Sequence, residues 1–298
     1  MKRSLSERAF DIFNVLLMLI LSFMFLYPFL YVVFASFSNP ELLVKHKGLL
    51  LLPEGFTLQG YTFVFRNPNI YSGYLNTIYY VVVGTLYNMV MTCLGAYVLS
   101  RKDWLLKTPM MVMITFTMFF SGGLIPSFIL VKNLGMMNTR AALIIPGAIS
   151  TYNMIIMRTS FMQIPSGLEE SAKLDGANDL QILWHVVLPV SKAVLAVITL
   201  FYAVGHWNSW FNASIYLRKR ELFPLQLILR EILIENNTSA MLDNASAQTL
   251  QDLATNKAWY KELVQYSTIV VSTVPILFIY PFVQKYFVKG VMIGSIKG

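Results

Sequence analysis

Long stretches of predominantly apolar residues, each long enough to cross a lipid bilayer, are the feature of this 298-residue chain that most limits its fold. A transmembrane α-helix needs about 17 to 25 predominantly apolar residues. Six such blocks occur, at residues 11–37, 71–99, 108–131, 141–157, 192–214 and 265–288. Only 13% of the residues are charged, against ~25% in an average soluble protein. The sequence therefore predicts a membrane protein.

The blocks predict an all-α membrane protein of about six transmembrane helices, in a single domain over residues 1–298. Only helices and closed barrels satisfy their backbone hydrogen bonds within lipid, and barrel strands would alternate apolar and polar residues. Pro146 interrupts the fourth block, which membrane helices tolerate. The first block follows Met1, Lys2 and Arg3 and is too long for a signal peptide. We expect it to remain as the first span.

Six spans place both termini on one side of the membrane. Cytoplasmic loops usually carry an excess of Lys and Arg. If the termini are inside, however, the inner segments contain 12 of the 23 basic residues and the outer segments contain 11. The shortest loop contains Arg101 and Lys102, and most outer charges lie in two long segments, 38–70 and 215–264. We therefore expect both termini in the cytoplasm. In the second long segment, Pro224 and the apolar pattern after it predict a helix.

Composition and motifs exclude several classes of function. The net charge of +8 is better explained by loops facing anionic lipid or an acidic partner than by nucleic acid. Cys93 is the only cysteine, and no Cys/His cluster suggests a metal. Buried ionisable residues, which ion-coupled carriers use, are nearly absent from the blocks, apart from His206. The chain contains no Walker A, HExxH or nucleophile-elbow motif. An enzyme is therefore disfavoured, whereas a self-sufficient channel or secondary carrier stays as an alternative.

A polar stretch at residues 158–190 separates the fourth and fifth blocks. Its pattern predicts two short helices at an angle. Ser166 and Glu169 have the spacing of a capping box at the start of the first helix. Asp175 and Gly176 form a turn signal that ends it, because glycine tolerates the left-handed backbone conformation. The second helix presents Leu180, Leu183 and Trp184, and Pro189 is expected to end it.

The residues alone support two interpretations of this stretch. Small residues at the bend (Ala172, Gly176 and Ala177) would let another backbone approach closely, which suits insertion into a groove on a partner protein. An amphipathic hairpin lying on the membrane surface accounts for the same pattern equally well.

The stretch resembles the EAA loop of binding-protein-dependent ABC import permeases, whose pattern is E-A-A-x-x-x-G followed by I-x-L-P. Here the residues are Glu170-Ser171-Ala172-Lys173-Leu174-Asp175-Gly176, and later Val187-Leu188-Pro189. The likeness is greatest to the smaller permease of the maltose type. The glycine-containing tail 289–298, Ser121-Gly122-Gly123-Leu124-Ile125-Pro126 and Trp207-Asn208-Ser209-Trp210 resemble a subgroup for oligosaccharides. The resemblance to this family covers nearly the whole chain, and the EAA loop is its most specific part.

The resemblance implies a multi-pass permease of the bacterial cytoplasmic membrane that forms half of a pore with a second, homologous permease. Two ATPase subunits, which would bind ATP and Mg, would dock on the cytoplasmic side. An extracytoplasmic sugar-binding protein would deliver an oligosaccharide. This chain would bind no cofactor or metal itself, and it would have no catalytic residue. A permease for peptides, amino acids or phosphate is the alternative within the family.

The resemblance also suggests roles for particular residues. The knob that couples to the ATPase would comprise Glu169, Glu170, Ala172, Asp175, Gly176 and Ala177. Gly294 and Lys297 in the tail would contact the ATPase, unless the tail is a frayed terminus. Residues 236–256 would face the binding protein, unless they are a spacer. A sugar path would use Asn153, His206, Trp207 and Asn208. For the neighbouring Trp210 and Phe211, an aromatic belt at the lipid interface is the favoured interpretation.

Overall fold

The computed structural model describes residues 5–101, 104–234 and 259–278, and these are mainly helical. The helices are α1 Leu5–Ser36, α2 Pro40–Lys45, α3 Gln59–Arg66, α4 Pro68–Tyr79, α5 Thr85–Ser100, α6 Lys107–Phe119, α7 Leu124–Asn133, α8 Ala141–Ile144, α9 Thr151–Met162, α10 Ser166–Leu174, α11 Asp179–Ile182, α12 Leu188–Val190, α13 Lys192–Trp207, α14 Phe211–Tyr216 and α15 Leu225–Ile234. Residues 259–278 are also helical.

Two helical stretches of the described residues are long and apolar enough to cross a membrane, Ala9–Ser36 and Pro68–Ser100. They confirm that blocks 11–37 and 71–99 are continuous helices. In the second, a π-helical turn at Tyr80–Gly84 joins α4 to α5. Two bent helix pairs raise the number of candidate spans to four if each pair is counted as one span. The sixth block, 265–288, is helical up to residue 278, and the rest of it lies outside the described residues.

The prediction of one helix over residues 108–131 is wrong, because α6 and α7 meet at an angle of 114°. The chain becomes extended at Phe120, and Gly123 has a φ of +86°. An L side chain rarely adopts that conformation, so the glycine permits the sharp change of direction. Pro126 lies in the first turn of α7, where its missing N–H would have had no helical partner.

Blocks 141–157 and 192–214 are likewise not single helices. In the first, α8 ends at Ile144, just before Pro146, and α9 starts again at Thr151. Ser150 caps α9, since its Oγ accepts a hydrogen bond from the backbone N–H of Asn153 at 3.4 Å. In the second, α13 ends at Trp207, and residues 208–210 separate it from α14. In the first of these blocks, Pro146 and the Ser150 cap therefore divide an apolar stretch that hydropathy alone treats as continuous.

The chain divides into two compact units. The first comprises Met1–Pro68 and Leu229–Pro275. Within it, Ser36 Oγ lies 2.7 Å from the Tyr61 hydroxyl, and Ser267 donates to the Ser36 carbonyl at 3.4 Å. Gly60 packs so closely that an added Cβ would lie 2.2 Å from Ser267 Oγ.

The second unit comprises Asn69–Ile228 and Ile276–Gly298. Its largest described core lies where α5, α9, α13 and the polar loop meet. Met157, Phe161, Ile182, Leu183 and Ile198 are almost completely buried there. The predicted helix after Pro224 is confirmed as α15.

Candidate functional site

The polar loop consists of two helical segments separated by a turn at Gly176, as predicted. Helix α10 ends at Leu174, and Gly176 has a φ of +82°. The second segment runs through α11, a π-helical turn at Leu183–Val187 and α12. It continues one residue past Pro189, and a bend of 89° then leads into α13. The loop thus presents its turn between two rigid segments.

The capping box is not where the sequence analysis placed it. Ser166 is already the first residue of α10, the N-cap is Pro165, and no side chain caps this end. Instead, Asn178 caps α11: its Oδ1 accepts from Gln181 N at 2.9 Å, while Gln181 Oε1 accepts from Asn178 N at 2.8 Å. The spacing Asn-x-x-Gln carries the same signal and could have been recognised.

Glu169 has a different partner from the one that a capping box would give it. Its carboxylate forms an ion pair with the guanidinium of Arg101, the residue that follows α5. That guanidinium also lies 4.4 Å from the centre of the Tyr97 ring and donates to Ser100 Oγ at 2.8 Å. Both charged side chains are mostly buried, at 20% and 17% exposed. Arg101 therefore ties α10 to the end of the long helix.

The other predicted coupling residues lie around the turn. A cleft of about 330 Å³ is lined by Ala172, Asp175, Gly176 and Ala177, together with Gln181, His185 and Val186. Ala172 and Ala177 also pack against the core of the unit. Glu170 is exposed and lines a second cleft together with Arg101 and Lys173. The structure thus brings the predicted residues together on two adjoining clefts.

Large apolar side chains of the loop face outward. Leu174 is 89% exposed, and Leu180 and Trp184 are each 59% exposed, whereas Leu183 is buried. Water-exposed apolar groups of this size next to a turn are typical of a surface that another protein or lipid covers.

Among the residues predicted for a sugar path, His206 is held by another side chain of the protein. His206 Nε2 lies 2.6 Å from Asn88 Oδ1. Asn88 Nδ2 donates to the carbonyls of Gly147 and Ala148 at 2.6 and 2.9 Å. Since an amide oxygen only accepts, Nε2 carries the proton in this contact. Asn153 is 6% exposed and lies in the first turn of α9.

The two remaining path residues differ in exposure. Trp207 is 8% exposed and makes an edge-to-face contact with Tyr74, with ring centres 6.4 Å apart. Its indole N–H meets no acceptor among the described residues. Asn208 is exposed at the end of α13. Gly294, Lys297 and segment 236–256 lie outside the described residues.

Comparison with known proteins gives consistent matches over the chain. Residues 88–293 match the family described as binding-protein-dependent transport system inner membrane component. The polygalacturonan/rhamnogalacturonan transport system permease protein YtcP of Bacillus subtilis is 39% identical over 294 residues, covering 99% of this chain and 100% of that protein. Protein LplC of the same organism is 37% identical over 298 residues, covering 100% and 98%.

A solved structure shows the same fold. It is a bacterial ABC transporter involved in the import of the acidic polysaccharide alginate. One of its chains superposes with a TM-score of 0.87 at 35% sequence identity, covering 96% of this chain and 99% of that one.

Proposed function

Because this chain belongs to the binding-protein-dependent transport system inner membrane component family, we propose that it forms half of the translocation pathway of an ATP-driven oligosaccharide importer. It is a permease subunit of an ABC transporter, has the permease fold and is not an enzyme. The other half of the pathway is a second, homologous permease, and each permease is one membrane domain. The observation that carries the mechanism is the polar loop, whose Gly176 turn projects between two helices fixed to the core.

The polar loop is the site at which ATP-driven movement reaches this chain. The exposed Leu174, Leu180 and Trp184 supply apolar area that an ATPase surface would cover. Exposed Glu170 offers a carboxylate to a basic group of the ATPase, while Ala172 and Gly176 keep the turn narrow. Glu169 acts differently, because its partner Arg101 belongs to this chain. It transmits displacement of α10 to the long helix Pro68–Ser100.

The same helix supports an orientation of the chain in the membrane. Its carboxyl end, at Arg101, contacts the polar loop, and its amino-terminal half contains Asn76. These two residues are separated by roughly 35–40 Å, at ~1.5 Å per helical residue. That length exceeds the ~30 Å hydrocarbon core of a bilayer. With the loop on the cytoplasmic ATPases, Asn76 and its neighbours face the extracytoplasmic side, where a binding protein delivers substrate, and both termini are cytoplasmic.

The proposed substrate class is supported by the relatives. One relative is named for polygalacturonan and rhamnogalacturonan, and the solved transporter for alginate. Asn153, His206, Trp207 and Asn208 are proposed for the sugar path, with Asn88 holding the His206 ring in one orientation.

Reconstitution tests the proposed function. The complete complex, with its second permease and ATPases, is placed in liposomes with the binding protein and a labelled oligogalacturonate. We expect uptake that requires both ATP and the binding protein, and that is lost when the ATPase is inactive. Uptake without ATP would indicate the channel or carrier alternative. ATP-dependent uptake of a peptide, amino acid or phosphate, but of no oligosaccharide, would indicate a different cargo.

A further inference from the structure

Basic residues from two separate loops meet at the end of the second unit that is remote from the polar loop. Arg140 donates to Asn76 Oδ1 at 3.1 Å. The same amide donates through Nδ2 to the carbonyls of Glu221 and Phe223, at 2.6 and 3.1 Å. Asn76 therefore holds Arg140 beside the segment that carries Arg218, Lys219 and Arg220.

A second asparagine fixes the first part of that segment. Asn138 Oδ1 accepts from the backbone N–H groups of Arg218 and Lys219 at 3.0 and 2.8 Å. The Asn138 N–H donates to the Tyr216 carbonyl at 2.9 Å. Asn138 has a φ of +61°, a left-handed conformation that asparagine adopts more readily than most other residues with a side chain. The surrounding hydrogen bonds hold Asn138 in this conformation, and they order the backbone from which the cations project.

Buried side chains of the long helix complete this support. Tyr80 is 2% exposed and donates to the Leu222 carbonyl at 2.8 Å. Thr77 is fully buried, and its Oγ1 accepts from Leu225 N at 2.8 Å. Asn76 is itself 3% exposed. The basic segment thus rests on a row of buried polar groups rather than on a loosely held surface loop.

Three of the cations on this scaffold form no ion pair within the described part of the chain. Arg140, Arg218 and Lys219 are exposed, and none of them forms an ion pair with a described carboxylate. The Arg140 guanidinium instead lies 4.4 Å from the centre of the Tyr79 ring. A guanidinium stacked on an aromatic ring keeps its N–H groups available in its own plane. Those that Arg140 does not use on Asn76 can donate to a carboxylate.

We propose that Arg140, Arg218 and Lys219 form a receiving site for the carboxylate groups of an acidic oligosaccharide as it reaches the permease. The inference rests on the proposed function, which places this end of the long helix on the extracytoplasmic side. Polygalacturonan and alginate carry a carboxylate on each sugar, so several spaced cations would engage one chain at successive residues. The two relatives named for these polymers favour the saccharide over an acidic protein surface or lipid.

The test compares a short oligogalacturonate with its carboxyl-reduced, neutral analogue in the reconstituted complete transporter. The variants are Arg140→Gln and the double variant Arg218→Gln/Lys219→Gln. Lys132→Gln is the matched control, since Lys132 is exposed at the end of α7 and belongs to neither asparagine cluster. We expect the half-saturating concentration of the acidic sugar to rise roughly 2- to 5-fold per removed charge, as for exposed ion pairs. The neutral analogue and the control should be unaffected.

Other outcomes would overturn the inference. If the variants impair transport of both sugars equally, the cluster serves binding-protein docking or folding. A lower affinity for the sugar-free binding protein would identify docking as the cause. An unchanged half-saturating concentration for both sugars would show that these residues do not receive the sugar. Wild-type transport of neutral oligosaccharides alone would also contradict the receiving site while leaving the oligosaccharide importer intact.

Discussion

The guanidinium of Arg101, at the carboxyl end of α5, forms an ion pair with the carboxylate of Glu169 in α10. The two residues are 68 positions apart. The pair connects the loop proposed to receive ATPase movement to a helix long enough to cross the membrane. Because both side chains are mostly shielded from water, this contact is better suited to transmitting displacement than an exposed surface pair.

Breaking this pair should weaken the coupling of ATP hydrolysis to transport more than it destabilises the fold. A hydrogen bond to a charged group is worth about 1.5–3 kcal/mol, and about 1.4 kcal/mol corresponds to a factor of ten. Losing it as a coupling contact in Arg101→Gln or Glu169→Gln should therefore lower transport roughly tenfold in the reconstituted complex. ATP hydrolysis should continue, because the chain holds no ATPase site. The exchanged pair Arg101→Glu/Glu169→Arg should recover part of the loss. An exchange no better than either single variant would show that the pair does not act as a unit.

Gly176 is expected to be needed for docking rather than for the fold. An added Cβ would meet nothing within 4 Å, so a side chain there would project outward into the space that a partner must occupy. Gly176→Trp should insert in the membrane at normal levels but lose the ATPase on purification, and transport with it. Gly176→Asn should keep most activity, because asparagine tolerates a positive φ. Normal uptake by Gly176→Trp would contradict the docking role.

The reciprocal cap at Asn178 should stabilise the second segment of the loop. Removing an N-cap side chain costs about 1 kcal/mol, so Asn178→Ala should speed hydrogen exchange at residues 179–182 by roughly fivefold. Gln163→Ala, at the exposed end of α9, is the matched control. Unchanged exchange in Asn178→Ala would mean that packing of Ile182 and Leu183, rather than the cap, holds this segment.

Gly84, which lies away from the polar loop, packs so closely that a larger residue should not be tolerated there. An added Cβ would lie 2.5 Å from His206 Nε2, so Gly84→Ala should displace the His206 ring and lower the melting temperature in detergent. Gly205→Ala is the control, since its Cβ would meet nothing within 4 Å. His206→Ala should restore stability to Gly84→Ala. If both glycine variants melt alike, His206 does not pack against Gly84 as described.

Hydropathy and turn chemistry predicted part of this fold from residues alone. The helices Leu5–Ser36 and Pro68–Ser100 and the turn at Gly176 follow from apolar length and from glycine. The break at Gly123 was not predicted, because a hydropathy window averages composition and does not register backbone direction. The interruption at Pro146 was recognised but was expected to be tolerated within one span. Glycine, proline and serine were present there as local signals.

The functional site was predictable to a similar degree. The resemblance of Glu170–Gly176 to the EAA pattern located the loop, and the structure places its residues on adjoining clefts. The role of Glu169 was not predictable, since its partner is brought near only by tertiary folding. The same holds for Asn76 and Asn138, whose side chains gather basic residues from two loops.

The stoichiometry of the intact complex tests the central claim most directly. The tagged chain would be extracted from its native membrane in a gentle detergent, and the complex would be weighed by native mass spectrometry. We predict one copy of this chain, one copy of a homologous permease and two ATPase subunits. A particle made only of this chain, alone or with copies of itself, would contradict the claim that it is half of an ATP-driven importer.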